Sequence, residues 1–356
     1  MMIEITPLDT LFFRTGKPFT MGEDTFAEVF FPPSPSTIYG AIRSFLIFQR
    51  GGLEEFWAGK YKDELGTKTD KGSLKVTGPI ILNDDQLLFP APLDLIVDEN
   101  TTLRRLDFIE KPSIFISDHT LPYIHIHKPK GKAEEAKGWI TDIELVEYLN
   151  NKKSEFKITC KEGLFLYENK TGIARERNTN TTKEGHLYRI PMIRLNDKVS
   201  IVVKIEGVND IPDVGILQLG GESKGAKFRR IEDKLQKFNN MDFNLENRLF
   251  KIYLATPAIF KKGWLPDWIN DNYEGEFNGI KLKLIGACIG KPLHIGGWDI
   301  ASKRPKPLRK AVPAGSVYYF EILDSSEFSK IKETFHLKNM SDINPEEGFG
   351  LGFVGR

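Results

Sequence analysis

The chain has 356 residues, 50 Lys and Arg against 49 Asp and Glu, a net charge of +1 and 40% hydrophobic residues. That length exceeds one ordinary core and predicts two units, at roughly one to two hundred residues per domain. No apolar run approaches the ~18 residues that cross a bilayer, and the leader-like pattern of a secreted protein is missing from MMIEITPLDTLFF, so a soluble cytoplasmic protein with no membrane partner is expected. The two cysteines, Cys160 and Cys288, lie far apart in unlike contexts, which excludes a disulfide framework or a Cys-rich zinc knuckle.

Taken in chain order, Ile3 to Phe13 alternates apolar and polar positions before a short apolar block, as a half-buried strand does. The turn group Arg14-Thr15-Gly16-Lys17-Pro18 stops it and places two cations, Arg14 and Lys17, at its edge. FPPSPS then leads into TIYGAIRSFLIFQR. Prolines ahead of a Ser cap, apolar residues at Ile38, Ala41, Ile42, Phe45 and Leu46, and Gly51-Gly52 beyond the end predict a helix of about four turns that carries Arg43. Strands follow at Leu74 to Leu82 and Leu87 to Phe89, with Asn83-Asp84-Asp85 as the turn. Strand, helix and hairpin in that order begin the βαββαβ pattern. From Pro90 to about Arg194 the pattern is irregular, with a helical piece near Ile140 to Leu149. The polar tract Arg175 to Gly185 reads as a mobile loop within an insertion at about 90–194, because so few apolar residues cannot offset ordering entropy. Strand periodicity returns at Val199 to Ile205.

The run ILQLGGESKGAKFRR joins Gly220-Gly221 to Lys224, Lys227, Arg229 and Arg230, a loop whose backbone amides and cations both suit anions. A second pass of the same order follows, with strands at Arg248 to Ala255, Ile280 to Ala287 and Val317 to Leu323 and a helix at Ser326 to Phe335. Two units that each end in a glycine loop argue for a duplication, with domains at 1–240 and 241–356. Within the second pass, GKPLHIGGWDIASKRPKPLRK carries the pair Gly296-Gly297, Trp298, and the acid-free cationic run Lys303, Arg304, Lys306, Arg309 and Lys310, held extended by two prolines. A concentrated cationic ribbon on a nearly neutral chain is the footprint of a phosphate backbone rather than of a uniformly solvated surface.

Other chemistry is weakly represented. Gly350, Gly352 and Gly355 fit a dinucleotide-loop string, but no helix follows them to hold a pyrophosphate, and no Gly-Lys-Ser/Thr follows any glycine loop. His125 and His127 share one strand face without a third ligand at recognisable spacing, and His294 has no evident partner. Neither a nucleophile elbow nor a Cys–His pairing is present. Asp84-Asp85 and Glu346-Glu347 read as turn formers. No catalytic residue, metal or cofactor is therefore expected.

Three segments together resemble a known family: PLDTLFFRTGKPF with FPPSPSTIYGAIRS, LQLGGESKGAKF, and GGWDIASKRPKPLRKAVPAGSVYYF. They look like the third-subunit family of the Cmr complex, the RNA-targeting type III-B CRISPR effector, within the RAMP superfamily; the 90–194 region is least covered. The resemblance implies an α+β fold of two ferredoxin-like (RRM-like) domains with glycine-rich loops and an insertion in the first. It further implies a non-catalytic structural subunit for antiviral defence. The implied partners are the 5′ tag of the CRISPR RNA, the large polymerase-like subunit and the backbone RAMP subunit. Carried over by motif, the RNA-binding residues are Arg14, Lys17, Arg43, Gly220, Gly221, Lys224, Lys227, Gly296, Gly297, Trp298, Lys303, Arg304, Lys306, Arg309 and Lys310. No RNP-type aromatic string is visible, so RNA contact rests on loops and backbone charge. Two other readings stand beside this one: a metal-independent RAMP endoribonuclease using His294 or His125, and a free nucleotide held by the glycine loops at the large-subunit interface.

Overall fold

The computed structural model describes residues 1–16, 28–97, 103–117, 119–127, 132–241, 248–299, 303–324 and 328–356. It is a mixed α and β structure, mostly strands with few helices. The chain forms two compact units interleaved along the sequence. The first comprises Met1–Asp84, Lys161–Glu232 and His294–Arg309, and the second Asp85–Cys160, Asp233–Leu293 and Lys310–Arg356.

In the first unit five strands are antiparallel neighbours in the order Val214–Gln218, Gly225–Ile231, Met2–Pro7, Val199–Glu206, Lys75–Asn83. Alternation in the first strand puts Ile3 and Ile5 in the core and leaves Glu4 to accept from Ser200 and Arg229 on the other face. The expected helix spans Pro35–Gln49, with Ser34 at its N-cap and a proline in its first turn. Ile38, Ala41, Ile42 and Leu46 are buried on one face, and Phe45 meets Phe228 edge-on at 5.0 Å. The helix stops where Gly51 and Gly52 take φ of +116° and +89°, with the Gly52 amide on the Ile47 carbonyl at 2.9 Å.

The second unit repeats the arrangement. Strands Ile280–Cys288, Val317–Ile322, Leu249–Leu254 and Leu351–Gly355 are antiparallel neighbours in that order. With Val214–Gln218 set aside, the remaining four strands of the first unit and these four both read second, third, first, fourth along the chain, the relationship a duplication produces. They differ in which crossover is helical. The first unit has its helix after strand one, and Val214–Gln218 occupies the later crossover; the second has Phe328–Phe335 between its third and fourth strands. The C-terminal glycines serve packing, since a Cβ on Gly355 would stand 2.8 Å from the Leu149 carbonyl oxygen.

Two expectations need revision or refinement. The tract Arg175 to Gly185 is a loop only at its tip, residues 176–181. It is the outer part of a long antiparallel hairpin, Phe165–Arg175 with Thr182–Leu195. Composition misleads there because a ribbon is held by its backbone ladder, and of its first strand only Phe165 is buried. The 90–194 region is also shared between the units, residues 85–160 clustering in the second. Buried Asp94 explains part of that grouping: it accepts from the hydroxyls of Tyr148 at 2.8 Å and Tyr319 at 2.5 Å. Lys251, 1% exposed, lays its ammonium 3.9 Å from the Tyr148 ring centre and donates to the Tyr148 carbonyl at 3.0 Å. Burial, more than the nearby Arg105, pushes the Lys251 ammonium well below the ordinary lysine range.

Candidate nucleic-acid interface

The first unit gathers several of the expected residues around the short run from Phe12 to Gly16. At one end the Gly221 amide donates to the Phe12 carbonyl at 2.9 Å, which seats the glycine loop on the chain. This close approach needs Gly220: it takes φ +76°, and a Cβ there would lie 2.5 Å from the Phe12 oxygen. At the other end the Gly16 amide donates to the His294 carbonyl at 3.2 Å. Four extended residues reach at most about 14 Å, so the glycine loop and the basic segment flank exposed Arg14 within that span.

The glycine loop is the turn of a hairpin, closed by the Leu219 amide on the Lys224 carbonyl at 2.8 Å, with Glu222 and Ser223 both left-handed at φ +59° and +51°. Lys224 does not point freely at solvent. Its ammonium lies 3.2 Å from Asp9, whose other oxygen takes the Arg194 guanidinium at 3.1 Å. The Thr10 backbone, then Lys224 and Arg194, hold the Asp9 carboxyl down at about 2. Glu222 pairs with Lys170 at 2.8 Å. Both Arg194 and Lys170 belong to the long hairpin, so one ion pair ties that ribbon to the glycine loop directly and another reaches Lys224 through the shared Asp9. Lys227 stands exposed on the neighbouring strand, opposite Thr6.

The basic segment is ordered by its own small ladder. Trp298 pairs with Pro305 and Asp299 with Arg304, and the Lys306 amide donates to the Gly297 carbonyl at 2.9 Å. Lys303, Arg304, Lys306 and Arg309 are all exposed. Gly296 and Gly16 touch backbone to backbone, and Leu308 lies against Gly16.

Other expected residues fall elsewhere. Arg43 is turned inward: its guanidinium donates to the carbonyls of Leu65 at 2.7 Å, Thr67 at 2.7 Å and Asp70 at 3.1 Å. Lys310 groups with the second unit, and Lys17 lies outside the described residues. Sequence reasoning missed Asp9, Arg194 and Lys170. No local signal marks them, because their partners are brought in by the fold.

Both histidines named for acid–base chemistry, His125 and His294, are half-buried. His125 packs against Phe108 at 4.7 Å and Tyr319 at 4.9 Å, and burial pushes its pKa down to about 4. The His294 carbonyl is engaged by Gly16. Among the described residues no group of three or more His, Cys, Asp or Glu is placed to hold a metal ion, and no helix is long and apolar enough to cross a membrane.

The chain is similar to several known proteins. A curated relative, the CRISPR system CMR subunit Cmr3 of Saccharolobus solfataricus, is 23% identical over 328 residues, covering 90% of this chain and 86% of its own. Two solved chains share the fold. One, from a cryo-EM structure of the type III-B Cmr-beta bound to cognate target RNA, has a TM-score of 0.53 and 19% identity, covering 94% of this chain and 89% of its own. The other, from the same type of complex bound to cognate target RNA and AMPPnP, has a TM-score of 0.52 and 19% identity, covering 90% and 86%. The family model for the CRISPR-associated protein Cmr3 matches residues 3–356, and the chain belongs to that family.

Proposed function

We propose that this chain is a non-enzymatic, RNA-binding structural subunit of a type III-B CRISPR effector, reading the two units as ferredoxin-like domains. The shared strand order supports the fold reading. One observation carries the RNA reading: glycine contacts fix two separate cationic loops on either side of Arg14, so that charges distant in sequence share a neighbourhood in one unit. Exposed cations engage phosphates without reading bases, which suits an RNA whose sequence is fixed by its origin, such as the 5′ tag of a CRISPR RNA.

Docking to protein subunits, the large polymerase-like subunit and the backbone RAMP subunit, is part of the same proposal. It is supported by three consecutive exposed apolar side chains on the second unit, Ile114, Phe115 and Ile116, exposed by 87%, 51% and 97%.

The test is filter binding of tagged CRISPR RNA to the reconstituted complex with Lys303, Arg304 and Lys306 changed to Ala. The triple variant weakens binding and flattens the salt dependence by about 0.7 to 0.9 for each phosphate that is no longer neutralised. Unchanged affinity and slope remove the segment from the interface. Site-specific cleavage of repeat RNA by the purified chain in EDTA, abolished by His294→Ala, would instead make it a nuclease.

A further inference from the structure

Trp298 differs from the other tryptophans in the described residues. Trp264 and Trp268 pack in the second unit, Trp268 stacked on Phe320 at 5.6 Å. Trp139 is only partly exposed. Trp57 is 54% exposed, but the Lys68 ammonium lies 4.9 Å over its ring. Trp298 is 60% exposed, and among the described residues no ring stacks on it and no cation covers it.

Its setting is also unusual. The indole stands on a short ladder opposite Pro305, fixed by the Lys306–Gly297 bond, and the same segment is seated on Gly16. Exposed Lys303, Arg304 and Lys306 lie on the return strand and its flanks. A large flat ring at the surface offers apolar area to a partner, and an anchored ring gives up little entropy when it is covered. The surrounding charge selects the cover. From His294 to Lys310 the only acid is Asp299, so the partner carries negative charge and a flat apolar face together. An unpaired nucleotide has both.

We propose that Trp298 is a stacking platform for one unpaired nucleobase, so that this surface takes single-stranded in preference to duplex nucleic acid. The inference rests on the RNA-binding reading above and specifies its substrate class. Base stacking is insensitive to salt, whereas phosphate contacts are not, and that separates the two contributions.

The experiment measures binding of the full chain to a labelled single-stranded decaribonucleotide, and to a blunt duplex of the same sequence, across a salt series. Trp298→Ala is expected to weaken single-strand binding by about 5- to 150-fold with the salt slope unchanged. Trp298→Phe recovers most of the affinity, and duplex binding is indifferent to both. Lys306→Ala lowers the slope instead. Single-strand affinity untouched by Trp298→Ala overturns the stacking assignment while leaving the RNA reading standing. So does loss of a co-purifying acidic protein subunit with RNA binding intact, which makes Trp298 a protein contact. A wild-type chain with no salt-dependent affinity for either probe overturns the reading itself.

Discussion

Gly16 and Gly296 are in backbone contact: a Cβ on Gly296 would stand 3.0 Å from the Gly16 Cα, and one on Gly16 would stand 2.8 Å from the Gly296 amide nitrogen. The contact joins residues 280 positions apart and fixes the basic segment beside Arg14. Gly16→Ala forces two backbones apart and is expected to destabilise the chain by about 1 to 3 kcal/mol and to weaken RNA binding. Gly297→Ala is the control, since its Cβ would meet only the Lys306 side chain at 3.4 Å. Urea denaturation of both variants checks this; equal stabilities would mean that the contact is easily relaxed.

Asp9 sets how much positive charge the glycine loop presents. Its carboxylate meets both Lys224 and Arg194, so Asp9→Asn leaves Lys224 without its acid partner while Arg194 keeps Glu168. Affinity for single-stranded RNA is expected to rise, with a salt slope steeper by about one. Because the folded-state pKa lies near 2, below the ordinary 3.8, the carboxylate's contribution is complete above about pH 4 and is lost as pH falls through about 2. Between pH 5 and 9 the wild-type isotherm should therefore show no step from this group. A slope unchanged in Asp9→Asn would place Lys224 away from the RNA.

The long helix and the central strands of both units are legible in the sequence because Ile38, Ala41, Ile42 and Leu46 repeat at helical spacing and Ile3 and Ile5 at strand spacing. The glycine pair and the basic run are legible as composition, and their closeness to Arg14 follows from contacts no local pattern encodes. The hidden parts have a common cause. Asp9 meets Arg194 and Lys224 across 185 and 215 residues, and charged residues give no periodic signal of their partners. The Phe165–Arg175 strand is hidden because it turns almost every side chain to solvent, which removes the alternation by which strands are recognised.

His336 gives the second unit a specific acid sensitivity. It is 4% exposed; the Val354 amide donates to Nδ1 at 3.1 Å, so the proton sits on Nε2, 3.1 Å from the Phe238 carbonyl. Protonating Nδ1 would set two donors against each other, and burial holds the pKa down to about 4 from the ordinary 6.5. The unfolded chain then binds the proton first, so stability is complete above about pH 6.5 and falls as pH drops toward 4. The loss should reach about 2 kcal/mol by pH 5. Denaturation at pH 7 and pH 5 measures it, and His336→Gln should lack the histidine's share of the slope.

Arg43 separates a structural cation from a phosphate-binding one. It sits on the long helix with its guanidinium bonded to three carbonyls of the 65–70 loop and 5.2 Å over the Phe56 ring. A planar fork matched to three acceptors has no equivalent in lysine. Arg43→Lys is therefore expected to cost about 1 to 3 kcal/mol of stability while leaving the RNA salt slope as it was. If the slope instead falls by about 0.7 to 0.9 with stability unchanged, the guanidinium leaves the loop to meet RNA and the helix belongs to the interface. Paired measurements on one preparation, chemical denaturation and a salt series, decide between the two.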